Sequence, residues 1–251
     1  AGQQPEAFAA LRTYQPITSG TGQTALTPQS VGNSELAPER GTEFEAGFDA
    51  SLFGDRVGVD FTYYNATTKD AILSRTVPPS AGFPGAQFVN AGEISSDGIE
   101  VDLSGRALDA EDVAVDLGLN LSTTSNEVVD LGGVDQGQGF IASGSIRFVP
   151  GLPVASYFDE ETVSAELDAD GNAINAMCDA GDPNGITLPD GTPVMPGGPA
   201  VPCDEAPVLF QGKTTPDFEG SLTATVTLFQ NLRLYGLFDW QVGWVQFDND
   251  T

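Results

Sequence analysis

The stretch that decides the fold is TEFEAGFDASLFGDRVGVDFTYY, residues 42–64. In its first half apolar residues alternate with acidic and small ones, so that Phe44, Phe48 and Leu52 share one face of an extended strand. The Gly-Asp pair at 54–55 predicts a tight turn, after which the two-residue period resumes. The stretch therefore predicts an antiparallel β-hairpin.

Two further pairs of segments show the same period, and they lie at 99–104 with 113–121 and at 218–228 with 232–244. The turns within the pairs are short, whereas the connections between them, about 69–96 and 126–215, are long. Short turns at one end and long loops at the other are typical of outer-membrane barrels, whose strands cross the bilayer at a tilt. The pattern favours an all-β fold, an antiparallel transmembrane β-barrel segment of about six spanning strands with long extracellular loops. A soluble β-sandwich with one elaborated end is the alternative.

Aromatic residues stand near the ends of several predicted strands, as Phe53, Tyr63, Trp240 and Trp244 do. Tyrosine and tryptophan concentrate where a membrane meets water, so this placement favours the barrel over the sandwich.

The composition excludes several classes of function. The chain has 251 residues, 36 acids against 9 bases, a formal net charge of -27 and no histidine. Such a charge opposes binding to the phosphates of nucleic acids. Without histidine there is no Ser-His or Cys-His catalysis and no His-ligated metal.

No other motif predicts an enzyme. The acid pairs at 111–112 and 160–161 are neighbours in loops, and loop carboxylates without a cleft are solvated charge rather than an acid/base pair. The glycines at 132–133 and 137–139 lack the lysine and following helix of a phosphate-binding loop. We therefore predict that the chain binds and passes a ligand without catalysing a reaction.

Five segments in order resemble the TonB-dependent outer-membrane receptors, in particular their SusC-like and RagA-like branch. They are LAPERGTEFEAGF (36–48), VDFTYYNATTKD (59–70), NAGEI with GIEV (90–94 and 98–101), GLP with SYF (151–153 and 156–158) and PDFEGS (216–221). Receptors of this family have an N-terminal plug domain, a TonB-binding box and a barrel of about 22 strands. The resemblance covers a C-terminal portion of the barrel alone, so we expect the chain to be part of a longer protein.

The resemblance and the strand pattern together imply four segments. We expect residues 1–41 to be an extracellular loop or incomplete barrel segment, and 42–125 to be four barrel strands with one long loop. Residues 126–215 would be a long acidic extracellular loop with a disulfide, and 216–251 a truncated barrel hairpin.

The resemblance implies a location in the bacterial outer membrane and active transport of a nutrient, either a glycan oligomer, a peptide or a siderophore-like ligand. The implied partners are membrane lipid, the small nutrient ligand, a TonB-type energising protein that acts through a missing N-terminal region, and a SusD-like surface lipoprotein. A passive porin-like channel and a surface adhesion or structural β-protein are the alternatives.

Cys178 and Cys203 lie in one proline- and glycine-rich connection. Two cysteines cannot complete a thiolate metal site alone, and the extracytoplasmic setting favours oxidation. We predict a disulfide, which would stabilise the loop by roughly 3 kcal/mol on chain entropy.

The same connection contains Asp168, Asp170 and Asn172 at alternate positions, with Asp179 further along. These oxygens partly match a calcium-binding loop, and calcium is the one cofactor that the sequence suggests. Ala173 stands where the turn glycine belongs, and an aspartate replaces the usual closing glutamate. An acidic, solvated loop tip is the alternative.

Overall fold

The computed structural model describes residues 4–18, 20, 22–77, 80, 82–83, 86–90, 92–132, 140–143 and 145–246. In chain order the strands are β1 (Thr13–Thr18), β2 (Thr24–Ser30), β3 (Arg40–Leu52), β4 (Val57–Lys69), β5 (Ile72–Thr76), β6 (Ala86–Asn90), β7 (Glu93–Asp109), β8 (Val113–Asp130), β9 (Phe140–Ser143), β10 (Ile146–Phe148), β11 (Ser156–Asp159), β12 (Thr162–Leu167), β13 (Ala173–Asp179), β14 (Ala200–Pro202), β15 (Leu209–Lys213), β16 (Phe218–Leu228) and β17 (Leu232–Val242). A 3₁₀ turn, Cys203–Glu205, follows β14. No helix in the described part of the chain is long and apolar enough to cross a membrane.

The chain divides into two compact units. The sheet unit comprises residues 42–67, 95–126 and 213–251, and the loop unit comprises 1–41, 68–94 and 127–212. The division into four segments made from the sequence stays a prediction.

The sheet unit is built from one open antiparallel sheet in the order β17-β16-β8-β7-β4-β3. The three predicted hairpins are its neighbouring strand pairs, and they close through the short segments 53–56, 110–112 and 229–231. The predicted asymmetry of short turns and long connections is confirmed. Within the described residues the six strands do not close on themselves, as expected of a segment of a larger barrel.

Two strands are much longer than their apolar pattern predicts. Strand β7 begins at Glu93 and β8 continues to Asp130, so each strand runs a few residues into the predicted connections 69–96 and 126–215. The additional residues are largely serine, threonine and acids, because a barrel strand that extends beyond the lipid layer has no apolar face to maintain.

The register separates the sheet into two chemically different faces. Leu222 lies between Leu119 and Phe238, whereas the preceding residue of the strand, Ser221, lies between Asn120 and Asp239. Although apolar, Leu222 and Phe238 are 44% and 64% exposed. We call the side with Leu222 the apolar face and the side with Ser221 the polar face.

The loop unit contains short strands that the sequence pattern did not predict. It contains a β1–β2 hairpin, a β5–β6 hairpin, a sheet in the order β12-β13-β14 and a sheet in the order β15-β11-β10-β9. Val149, Leu152 and Phe158 are buried in one core cluster with Leu188 and Val194. The long connections therefore fold around an apolar core of their own.

Candidate functional site

The polar face of the sheet carries hydrogen bonds between side chains on neighbouring strands. Strand pairing places Glu219 opposite both Ser122 and Gln241, and the Gln241 side-chain amide donates to the Glu219 carboxylate at 2.6 Å. On the neighbouring pair of strands, the Asn120 amide donates to the Asp102 carboxylate. These cross-strand bonds hold the polar side chains in place across the face.

Carboxylates dominate the middle of this face. Asp60 lies close to Asp49 on one neighbouring strand and to Asp102 and Glu100 on the other. Towards the short turns, Arg106 forms ion pairs with Asp116 at 2.9 Å and with Asp109 at 3.6 Å. The face is therefore net acidic, and the charge of Arg106 is balanced by two of its carboxylates.

Two open grooves follow the polar face. One, of about 240 Å³, is lined by Asn120, Ser122, Glu219, Ser221, Asp239 and Gln241. The other, of about 560 Å³, lies near the short turns between Arg56 and Arg106. Their polar atoms can hydrogen-bond a hydrophilic ligand.

Tyr64 lies across the backbone of Gly98 on the polar face. A side chain at 98 would overlap the Tyr64 ring, so the glycine makes room for it. The Tyr64 hydroxyl shares a 3.1 Å hydrogen bond with the Thr124 hydroxyl two strands away. The sequence analysis missed this contact.

The predicted disulfide is confirmed. Cys178, at the end of β13, and Cys203, directly after β14, are bonded with their Cα atoms 4.7 Å apart. The Cys178 side chain is almost completely buried. The bond joins two adjacent strands of the β12-β13-β14 sheet.

Asp179 follows the disulfide and organises the backbone around it. Its carboxylate accepts hydrogen bonds from the backbone amides of Gly181 at 2.7 Å, Gly197 at 2.8 Å and Gly198 at 2.8 Å. The amide of Gly181 first, and then those of Gly197 and Gly198, lower the pKa of Asp179. Asp179 thereby fixes two segments of the connection to each other. The only sequence signal for this cluster is the glycine two residues after the aspartate.

The predicted calcium ligands are divided between two places. Asp168 accepts hydrogen bonds from the backbone amides of Asp170 and Asn172, both at 2.9 Å, in the turn between β12 and β13. The Asn172 side chain, as the strongest contributor, lowers the pKa of Asp168. Asp179 lies at the opposite end of β13, about 20 Å away at roughly 3.3 Å per residue.

The structure thus brings three of the four residues together and leaves Asp179 apart. In the described residues no group of three or more acidic or cysteine side chains is arranged to hold a metal ion. Calcium binding and its alternative, an acidic, solvated loop tip, both stay predictions.

An open antiparallel sheet with an exposed apolar face, an acidic polar face, short turns at one end and long folded connections at the other defines a segment of an outer-membrane β-barrel. The family model described as TonB dependent receptor-like, beta-barrel matches residues 6–248. The chain belongs to this family of outer-membrane proteins. Family membership decides between the two predicted folds in favour of the barrel.

Individual relatives agree with this assignment. TonB-dependent receptor P26 of Formosa agariphila is 32% identical over 117 residues, which cover 47% of this chain and 12% of that protein. TonB-dependent receptor SusC of Bacteroides thetaiotaomicron is 25% identical over 112 residues, 45% of this chain and 11% of that protein. A solved structure of the RagAB peptide transporter has the same fold, with a TM-score of 0.70 at 21% identity over 93% of this chain. The chain spans 24% of the length of that structure.

Proposed function

We propose that the intact protein imports a nutrient across the outer membrane and that a TonB-type protein on the inner side supplies the energy. The observation that carries the proposal is the family match over residues 6–248. The two chemically distinct faces of the sheet support it, since an importer needs an apolar face towards lipid and a hydrophilic face towards its lumen.

In this proposal the polar face of the sheet lines part of the path of the ligand. Asn120, Glu219 and Gln241 offer amide donors and carboxylate acceptors along one groove, and the ring of Tyr64 adds an aromatic surface. Hydrogen bonds exchanged between ligand and wall would allow passage without tight binding.

The ligand that we propose is a glycan oligomer or a peptide, in preference to a siderophore-like molecule. Relatives include SusC and a structure named as a peptide transporter. The acidic polar face adds a physical argument, because carboxylates such as Asp60 and Asp102 repel an anionic ligand in a confined lumen. Neutral or cationic ligands avoid that cost.

Two partners belong to the proposal. The TonB-type protein would act through the N-terminal region of the intact receptor. A SusD-like surface lipoprotein would meet the receptor on the extracellular side, where long connections of an outer-membrane barrel lie. A passive porin-like channel would share the strand pattern but would not need either partner.

Uptake by the full-length protein tests the assignment of the polar face. A strain that lacks the parent gene is complemented with wild type, with Glu219→Gln plus Asp239→Asn, or with Leu222→Val on the apolar face as a matched control. We expect the double substitution to change the concentration dependence of uptake several-fold and the control to leave it unchanged. Equal behaviour of all three would contradict the role of the polar face.

A further inference from the structure

Strand β7 loses its large side chains on the apolar face as it approaches the short turn 110–112. Asp102 and Arg106 of β7 lie on the polar face, with hydrogen-bond partners there on β8. Because successive side chains of a strand alternate between faces, the odd-numbered residues around them lie on the apolar face. In chain order these are Ile99, Val101, Leu103, Gly105 and Ala107. The last two positions therefore leave the apolar face almost without side-chain volume.

An apolar groove of about 350 Å³ is lined by these two small residues. Larger side chains border it, and they belong to Val57 of β4, Leu103 of β7, Leu117 and Leu119 of β8 and Leu222 of β16. A Cβ atom at 105 would come within 2.8 Å of the carbonyl oxygen of Arg56, closer than a carbon atom normally approaches. Glycine at this position therefore keeps the floor of the groove at the level of the backbone.

The groove is part of the surface that contacts the membrane, because the apolar face of an outer-membrane barrel is turned towards lipid. Strands β4, β7, β8 and β16 are inner strands of the sheet and are each paired on both sides, so the groove does not lie at an edge. An unfilled recess loses dispersion contacts, and water finds no polar partner in it. A slender hydrocarbon chain can follow a recess between protruding leucines, whereas the flat surface of another sheet would rest on the leucines.

The turns beside the groove carry more acidic than basic residues. The turn 110–112 contains the exposed Glu111 and Asp112 and no base, while the turn 53–56 contains one aspartate and one arginine. Carboxylates at this position repel an anionic headgroup and attract the ammonium group of phosphatidylethanolamine, and charge complementarity of this kind selects between partners. Short turns of outer-membrane barrels lie on the periplasmic side, so a lipid beside them belongs to the inner leaflet.

We propose that the groove holds one acyl chain of an inner-leaflet phosphatidylethanolamine molecule, with the headgroup of that lipid at the turn 110–112. The chain fills the space above Gly105 and Ala107. The carboxylates of Glu111 and Asp112 favour the ethanolamine ammonium over the uncharged glycerol of phosphatidylglycerol. This lipid stays bound when the lipid over the rest of the apolar face exchanges.

The first test counts phospholipid molecules that stay bound to the full-length protein after purification in a mild detergent, by native mass spectrometry. Ala107→Leu fills the groove from an exposed position. Gly236→Leu is the matched control, because Gly236 lies on the same face, outside the groove, with no atom within 4 Å of a Cβ placed there. We expect wild type and the control to retain one phosphatidylethanolamine, and Ala107→Leu to retain several-fold less.

Two outcomes of this measurement would overturn the proposal. One is equal retention of phosphatidylethanolamine by wild type and Ala107→Leu. The other is a wild type that retains no lipid but forms a dimer that Ala107→Leu disrupts, which would assign the groove to a second copy of the chain.

The second test uses the wild-type protein and stays informative where Ala107→Leu fails to fold. Full-length protein is folded into vesicles that contain phosphatidylethanolamine or phosphatidylglycerol with a photoreactive group on the acyl chain. We expect phosphatidylethanolamine to label residues 103–107 and 117–119 several-fold more than 234–238 on the same face. Even labelling of these segments would mean ordinary contact with bulk lipid and would overturn the site.

The same lipids test the headgroup assignment. We expect phosphatidylethanolamine to label the groove several-fold more than phosphatidylglycerol does, and Glu111→Gln together with Asp112→Asn to remove that preference. Equal labelling by the two lipids in wild type, or an unchanged preference in the double variant, would contradict the role of the two carboxylates.

Discussion

Trp240 lies across Gly220 on the apolar face of the sheet, and the register of β16 and β17 makes the two residues direct partners. A Cβ atom at 220 would overlap the indole ring. The rings of Phe238 and Phe218 lie 5.6 Å and 6.3 Å from that of Trp240 and complete an aromatic cluster. The glycine is therefore required by the position of the ring.

Gly220→Ala is the substitution that tests this contact. Overpacking a well-filled position costs roughly 1–3 kcal/mol, so we expect a loss of that size in the free energy of unfolding of the full-length protein in vesicles. Gly236→Ala is the matched control, because it lies on the same face with open space where a side chain would begin. Equal losses in both variants, measured by urea unfolding, would show that Trp240 does not require Gly220.

Asp179 predicts a pH dependence of the disulfide-bonded connection. Its pKa is lowered by the amides of Gly181, Gly197 and Gly198, so its stabilisation is complete well above the ordinary aspartate pKa of about 3.9. The stabilisation is lost as the pH falls through the lowered pKa of the folded state. We expect hydrogen-exchange protection of Gly197 and Gly198 to fall in that acidic range.

In Asp179→Asn, the amides of Gly197 and Gly198 should lose hydrogen-exchange protection at neutral pH. The protection that remains should change less as the pH falls. Asp190→Asn is the control, because Asp190 accepts a backbone hydrogen bond from Thr192 within its own turn. A wild-type pH response in Asp179→Asn would assign the acid sensitivity to other groups.

The disulfide predicts a local loss of stability. The bond closes a loop with a sequence separation of 25, for which chain entropy gives about 3 kcal/mol. Cys178→Ser together with Cys203→Ser should lower the free energy of local opening of residues 178–203 by about that amount, measured by hydrogen exchange. Reductant should reproduce the effect in wild type and have no effect on the double variant. Unchanged exchange would mean that the strand pairing alone holds the connection.

Calcium binding can be tested at the turn between β12 and β13. Asp168 already accepts hydrogen bonds from Asp170 and Asn172, and Asp179 lies at the far end of β13, so an ion would have to replace existing bonds with too few protein ligands. We expect millimolar Ca²⁺ to leave protection of residues 168–173 unchanged. A saturable rise in protection that Asp168→Asn abolishes would instead establish a calcium site.

The long strands were predictable because their side chains obey a strict two-residue period. The strands of the connections were not, because segments such as β11 and β15 have only 4 and 5 residues and show no such period. Their pairing joins residues about 50 positions apart around the buried Leu209, a contact that no local pattern encodes.

The same distinction holds within the candidate site. The disulfide was predictable because the chain has two cysteines in one connection. The contact of Tyr64 with Gly98 depends on the register of strands on either side of a long connection, and the Asp179 cluster depends on a loop that returns 18 residues later. Contacts of this kind depend on which distant segments pair in the folded protein, so the periodicity of the sequence does not predict them.

Energised import is the central claim, and uptake with and without the energising partner tests it most directly. In the native host, the full-length gene and the gene for the TonB-type protein are inactivated separately, and uptake of labelled glycan oligomers and peptides is measured. The account predicts that both strains lose uptake of the same ligand and that restoring each gene recovers it. Uptake that depends on the receptor gene but persists without the TonB-type protein would contradict the account and indicate a passive channel.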